Sequence, residues 1–323
     1  MENNTAVVDY NIHRIVIFTG VVIFTVFGLY GNISLIVIHI RNSKLRSKYG
    51  LLLSLLSFCQ SLCLIFEWIG GAYILSSHNG IRSTCLKLIA GYVFVHCMQT
   101  GLMATIAVDL FVSIAFPLWH RVRNNEIYVI LASLPSAVYG LLSVIFGFFM
   151  TNDQPINMCN PPSSLNEKVK KYWYIVAFIC GGVTICSYIL AYLVLLYYSK
   201  RHMDQDFARR TMRSMSILLL IFLCTRYLAT VGANVLSMAH VDPYTEELFQ
   251  NYCVFAAMIC YSQNFYVTLW RSSEYREVLW KQHMKVHNSL CGKCCPLTMK
   301  RKVLSESTPD HRHGPEHISM THI

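Results

Sequence analysis

The chain has 323 residues, 54% hydrophobic and only 14% charged, with a mean hydropathy of +0.42. A soluble domain of this length needs roughly a quarter charged residues to cover its surface, so a water-soluble enzyme or binding module is excluded. The formal net charge of +10 sits in loops between apolar runs, which reads as membrane topology and lipid attraction and not as a nucleic-acid-binding face.

The first 14 residues are polar and short. Their Asn-Asn-Thr makes Asn3 a glycosylation acceptor, a triplet that also arises by chance. The first apolar run, 15–40, follows His13 and Arg14 and is long enough to span, so no cleavable signal is expected. Further runs follow near 49–75, 86–116, 127–150, 172–198, 215–238 and 249–270. About 20 residues suffice to cross a bilayer core, whereas barrel strands would alternate over about 10. The predicted fold is therefore an all-α membrane protein, a bundle of seven transmembrane helices over 15–270.

Loop charge sets the expected orientation. Lys and Arg number four in 41–48, two in 119–125, five in 199–214 and nine from Arg271 onward; the alternate loops carry Arg14, Arg82, Lys168, Lys170 and Lys171. Twenty against five predicts an extracellular N-terminus and a cytoplasmic C-terminus. With so short an N-terminus, any ligand must be captured by the bundle and its loops. After the last span, 271–285 is amphipathic: Tyr275, Val278 and Leu279 share one helical face, with Arg271, Glu274 and Lys281 available to water and headgroups. The tail 286–323 is polar, His-rich and expected to be disordered.

Several motifs carry a family resemblance. Gly31-Asn32 in the first span resembles the Gly-Asn pair of rhodopsin-like receptors. Asp-Leu-Phe-Val-Ser-Ile-Ala-Phe-Pro (109–117) resembles their Asp-Arg-aromatic box, and Cys85 opens the third span 24 residues before Asp109. The stretch SQNFYVTLWRSSEYR (262–276) looks like the seventh-span and eighth-helix signature of the Srsx group of nematode serpentine chemoreceptors, and Glu67 and the loop CNPP fit that group too. The resemblance covers residues 20 to about 285. It implies a rhodopsin-like seven-helix G-protein-coupled receptor with a short amphipathic eighth helix, residing in the plasma or ciliary membrane. The partners implied are a small-molecule or peptide ligand, a heterotrimeric G protein, membrane lipids and a receptor dimer; no cofactor is implied.

The resemblance also assigns residues. It pairs Cys85 with Cys159 in the second extracellular loop, both at the boundary facing an oxidising compartment. Asn264 stands where the family places the Asn of Asn-Pro-x-x-Tyr, with Phe265 and Thr268 replacing the Pro and Tyr. Gln60 takes the place of the Asp of the sodium site and Gln99 neighbours it. Two neutral amides bind Na⁺ poorly, so Asn32, Gln60, Gln99 and Asn264 are expected to form an uncharged polar network.

Charged groups in the bilayer are costly and mark function or helix-holding cavities. Arg226 lies in the sixth span where many relatives carry an aromatic switch residue. His96 on the third span and Glu67 on the second are its candidate partners for ligand binding and switching; the alternative is that Arg226 merely holds the helices together. Cys291, Cys294 and Cys295 follow the amphipathic segment, where palmitoylation is favoured over a zinc site with His311, His313, His317 and His322. No catalytic constellation or metal site emerges, and an enzyme is not expected.

The departure from the family is at Asp109. Leu110 follows it where an Arg is usual, so Asp109 must find Arg41, Arg123 or water, and coupling would fall to Arg209, Arg210 and Arg213. The expected activity is chemosensory signalling to a G protein, with a non-coupling partner or decoy as the alternative. A transporter or channel subunit is the rival from another class, disfavoured because no duplicated half or matching broken helices are visible.

Overall fold

The computed structural model describes residues 2–76, 80–156, 159–201, 217, 220–227, 232, 243–273, 275–281 and 284, and at 2–11, 44, 74, 76, 199–201, 226–227, 243–248, 250 and 251 their backbone only. Five of its helices are long and apolar enough to cross a membrane. These are α1 (Glu2–Arg41), α2 (Lys48–Ser76), α3 (Arg82–Ala115), α4 (Asn125–Phe149) and α5 (Glu167–Arg201). A sixth long helix, α6 (Pro243–Arg271), covers the last expected span, and a π-helical turn, Leu223–Tyr227, falls within 215–238. The first helix starts at Glu2, ahead of the expected 15, so helical backbone runs through the short N-terminal stretch.

Helix ends follow local chemistry. Asn124 caps α4 by accepting from the N–H groups of Glu126 and Ile127 at 2.9 and 3.3 Å, and Glu126 adds an acid to the first turn. Arg46 closes α1 by donating from Nε to the His39 carbonyl and from Nη2 to that of Ile40. The third helix ends at Phe116, whose backbone leaves the helical region, and Pro117 starts a short helical turn, Pro117–Val122.

α3 is the centre of the bundle, packed against α2, α4 and α5, while α1 lies on α2 and α6. The outermost helix is α4, which buries a row of small residues, Ser136, Gly140, Ser143 and Gly147, and leaves Ile130, Leu134, Val138 and Leu141 exposed. Small residues let backbones approach where lipid supplies no hydrophobic drive between helices. A Cβ on Gly140 would stand 2.8 Å from the Phe94 carbonyl oxygen, and one on Gly101 would stand 3.0 Å from Ser136 Cα. Only glycine fits either position without moving backbone.

The chain divides into a unit Met1–Arg271 and a unit Ser272–Ile323. In the second, Ser272 is not helical, its Oγ accepts from the Tyr275 N–H at 3.5 Å, and residues 275–281 are helical. The switch from apolar to amphipathic chain therefore passes through a serine cap and not a glycine or proline turn. Lys281 donates to Glu277 at 2.6 Å, and that hydrogen bond holds the Glu277 carboxyl below its ordinary range. Cys291, Cys294, Cys295 and the tail 286–323 lie outside the described residues, as do Arg209, Arg210, Arg213 and the side chain of Asn3.

Candidate functional site

At one end of the bundle the chain folds a loop onto the start of α3. Cys85 and Cys159 form a disulfide with Cα atoms 5.6 Å apart. Two short strands, β1 (Gly80–Ile81) and β2 (Pro155–Ile156), pair antiparallel beside it. Arg82, itself buried, donates from Nη1 to Asn152 Oδ1 and Gln154 Oε1, both at 2.8 Å, and from Nε to the Ser163 carbonyl at 3.3 Å. Ser83 adds a bond to Asp153 at 2.5 Å. The loop is thus held by covalent, strand and side-chain links at once.

Beneath this cap lies a polar cluster among aromatic rings. The Tyr92 hydroxyl donates to Glu67 Oε1, and Glu67 is only 7% exposed. Tyr92 also stacks on Phe66 at 5.8 Å and meets the His96 ring edge-on at 5.8 Å. His96 Nδ1 is 3.0 Å from the Tyr261 hydroxyl, and its ring lies 5.3 Å from Trp173. The Trp173 indole donates to Cys97 Sγ at 3.0 Å. Glu67 from α2, His96 from α3 and Tyr261 from α6 therefore share one region. Arg226 falls in the π-helical turn, and its side chain lies outside the described residues.

Tyr92, Trp173 and Tyr261 were not singled out from the sequence. Cys85, Ile89, Tyr92, His96 and Gln99 are all buried and recur at helical spacing, so the face that carries His96 also carries Tyr92. That spacing was the available signal. Trp173 and Tyr261 had none, because their meeting with His96 depends on how α5 and α6 pack.

Deeper in the bundle the amides divide. Asn264 Nδ2 donates to Gln60 Oε1 at 2.8 Å, Gln60 Nε2 to the Cys260 carbonyl at 3.3 Å, and Asn32 Nδ2 to the Tyr261 carbonyl at 3.0 Å. These bonds tie α1, α2 and α6 at adjacent carbonyls. Gln99 is wholly buried, and neither of its amide atoms has a partner among the described residues. It is not hydrogen-bonded to the other three.

At the opposite end, Asp109 is 2% exposed and bonds neither Arg41 nor Arg123. Its Oδ1 lies 2.8 Å from His120 Nε2, a partner not among the expected Arg41, Arg123 or water. Lys48 donates to the His120 carbonyl, and the Tyr128 ring meets the His120 ring edge-on at 5.5 Å. Leu110, in the position of the usual arginine, packs with Ala191 and Leu195 of α5.

A search of curated proteins finds no match. The family model described as serpentine type 7TM GPCR chemoreceptor Srsx matches residues 25–283.

Proposed function

The chain belongs to the Srsx family of serpentine 7TM GPCR chemoreceptors, and from that premise we propose that it binds a small molecule or short peptide beneath the disulfide-held loop and signals to a heterotrimeric G protein. The family is a class of multi-pass membrane chemoreceptors and not an enzyme family. The observation that carries the finer reading is the cluster of Glu67, Tyr92, His96 and Tyr261, contributed by three helices under one clamped loop. Buried polar groups from several helices change partners when those helices shift, so a ligand that prefers one arrangement biases the bundle. Arg226 belongs to this site in our reading, paired with Glu67 or His96 directly or through water.

In the proposed topology the N-terminus is extracellular and the Asp109 end cytoplasmic, in the plasma or ciliary membrane. Seven spans and a membrane-lying amphipathic helix over 271–285 complete it, with Asn3 glycosylated, Cys291, Cys294 and Cys295 palmitoylated, and a receptor dimer allowed. Leu110 in place of arginine favours weak coupling through Arg209, Arg210 and Arg213, and the same residue supports a second reading as a non-coupling partner or decoy. The test is a screen of small molecules and short peptides against the expressed receptor with G-protein activation as readout. Activation by at least one compound, lost in Glu67→Gln, supports the proposal. Ligand-gated current or flux in cells lacking G proteins would replace it with a channel or transporter.

A further inference from the structure

The Asp109–His120 pair spans eleven residues, which in an unbroken helix would separate the two by about 16 Å along the axis. They meet because α3 stops at Phe116 and the chain turns back through Pro117–Val122. His120 is held twice: its imidazole by Asp109 at 2.8 Å and its carbonyl by Lys48. Among the described residues, the turn Pro117–Val122 is hydrogen-bonded to other helices only at His120. The rest of the turn points outward, with Leu118 and Val122 at 81% and 87% exposure.

We propose that His120 is the positioning residue of this turn, the hydrogen-bond partner of Asp109 where the rhodopsin-like pattern has an adjacent arginine, so that one side chain latches the exposed apolar surface of Leu118 and Val122 to the end of α3. The physical reason is the environment of Asp109. A carboxylate removed from water is destabilising unless a cation or several donors face it. With Leu110 turned toward Ala191 and Leu195, the neighbouring position supplies no charge. Asp109 is instead faced by His120 Nε2 at 2.8 Å, by a hydrogen bond with Tyr128 and by the Lys48 ammonium, and of these three His120 alone belongs to the turn. Lys48 stands behind the pair, its ammonium 5.3 Å from the Tyr128 ring, and fixes the main chain while Asp109 fixes the side chain. In a receptor whose arginine stayed on α3, the partner of the carboxylate and the turn could move separately. Here they move together.

That this end faces the cytoplasm rests on the receptor reading; the latch itself does not. Hydrogen–deuterium exchange of the full-length receptor in lipid nanodiscs tests it without ligand or G protein. Amides 118–123 should exchange at least tenfold faster in His120→Leu than in wild type, while amides of 138–148 in α4 keep their protection. His120→Arg should retain wild-type protection of 118–123, because it keeps a hydrogen-bond donor within reach of Asp109. Unchanged protection in His120→Leu, or equal loss in His120→Leu and His120→Arg, would overturn the proposal. If His120→Leu loosens the whole bundle, the exchanged pair Asp109→His with His120→Asp decides: regained protection supports the latch, and none contradicts it. Failure of the latch leaves the chemosensory reading standing, and a failed ligand screen leaves the latch standing.

Discussion

Glu67 accepts a hydrogen bond from a tyrosine one helical turn away from His96, so a change at Glu67 should reach His96 through Tyr92. A buried carboxylate with a single phenol donor is held less firmly than an ion pair with full donors. We expect Glu67→Gln and Arg226→Met each to weaken the ligand response at least tenfold, about 1.4 kcal/mol, at unchanged surface level. The charge exchange Glu67→Arg with Arg226→Glu should recover part of it. Concentration–response curves with surface labelling measure all three, and wild-type responses in both single variants would refute a role for the pair. The partner of Asp109 was the residue hardest to foresee. Its carboxylate was legible as lacking an adjacent arginine, but His120 becomes its neighbour only after the chain reverses at Phe116. A histidine just ahead of two arginines in a loop gives no sign of that before the turn is known.

Helix positions were legible because a bilayer demands long apolar runs: the expected run 49–75 lies within α2, and 127–150 overruns the end of α4 by one residue. What the runs conceal is which face packs where. The α3–α4 contact depends on Gly101 and Gly140, whose missing side chains carry no hydropathy signal at all. Gly140→Val places methyl groups against the Phe94 carbonyl and should cost about 1–3 kcal/mol, read as a lower thermal midpoint of purified receptor in detergent. An unchanged midpoint would mean that the two helices separate without loss. The loop clamp is a second case. Cys85 and Cys159 were pairable by resemblance, but the support from Arg82 and the β1–β2 pair arises from loop geometry that no periodicity encodes. Because Arg82 and the strands hold the loop as well, Cys85→Ser with Cys159→Ser should cost about 2 kcal/mol, the low end for a native disulfide. The same thermal measurement reads it. Loss of all folded receptor would show instead that the bridge alone orders the loop.

As a receptor, the molecule has to connect the Glu67 cluster at one end with Asp109 at the other, and α3 is the element that holds both. α3 also carries Leu110, which stands where the rhodopsin-like pattern has an arginine and packs on α5. We therefore expect Leu110→Arg to raise ligand-stimulated G-protein activation severalfold over wild type, with wild type weak but measurable. Equal activation by the two would mean that Leu110 does not limit coupling. The most direct measurement of the whole account is ligand-stimulated nucleotide exchange on a purified G protein, with wild-type receptor and Glu67→Gln in parallel nanodiscs. The account predicts exchange above the ligand-free rate for wild type and a return to that rate in Glu67→Gln at the same ligand concentration. A ligand that binds wild type tightly yet leaves exchange at the ligand-free rate, in wild type and in Leu110→Arg alike, would contradict it.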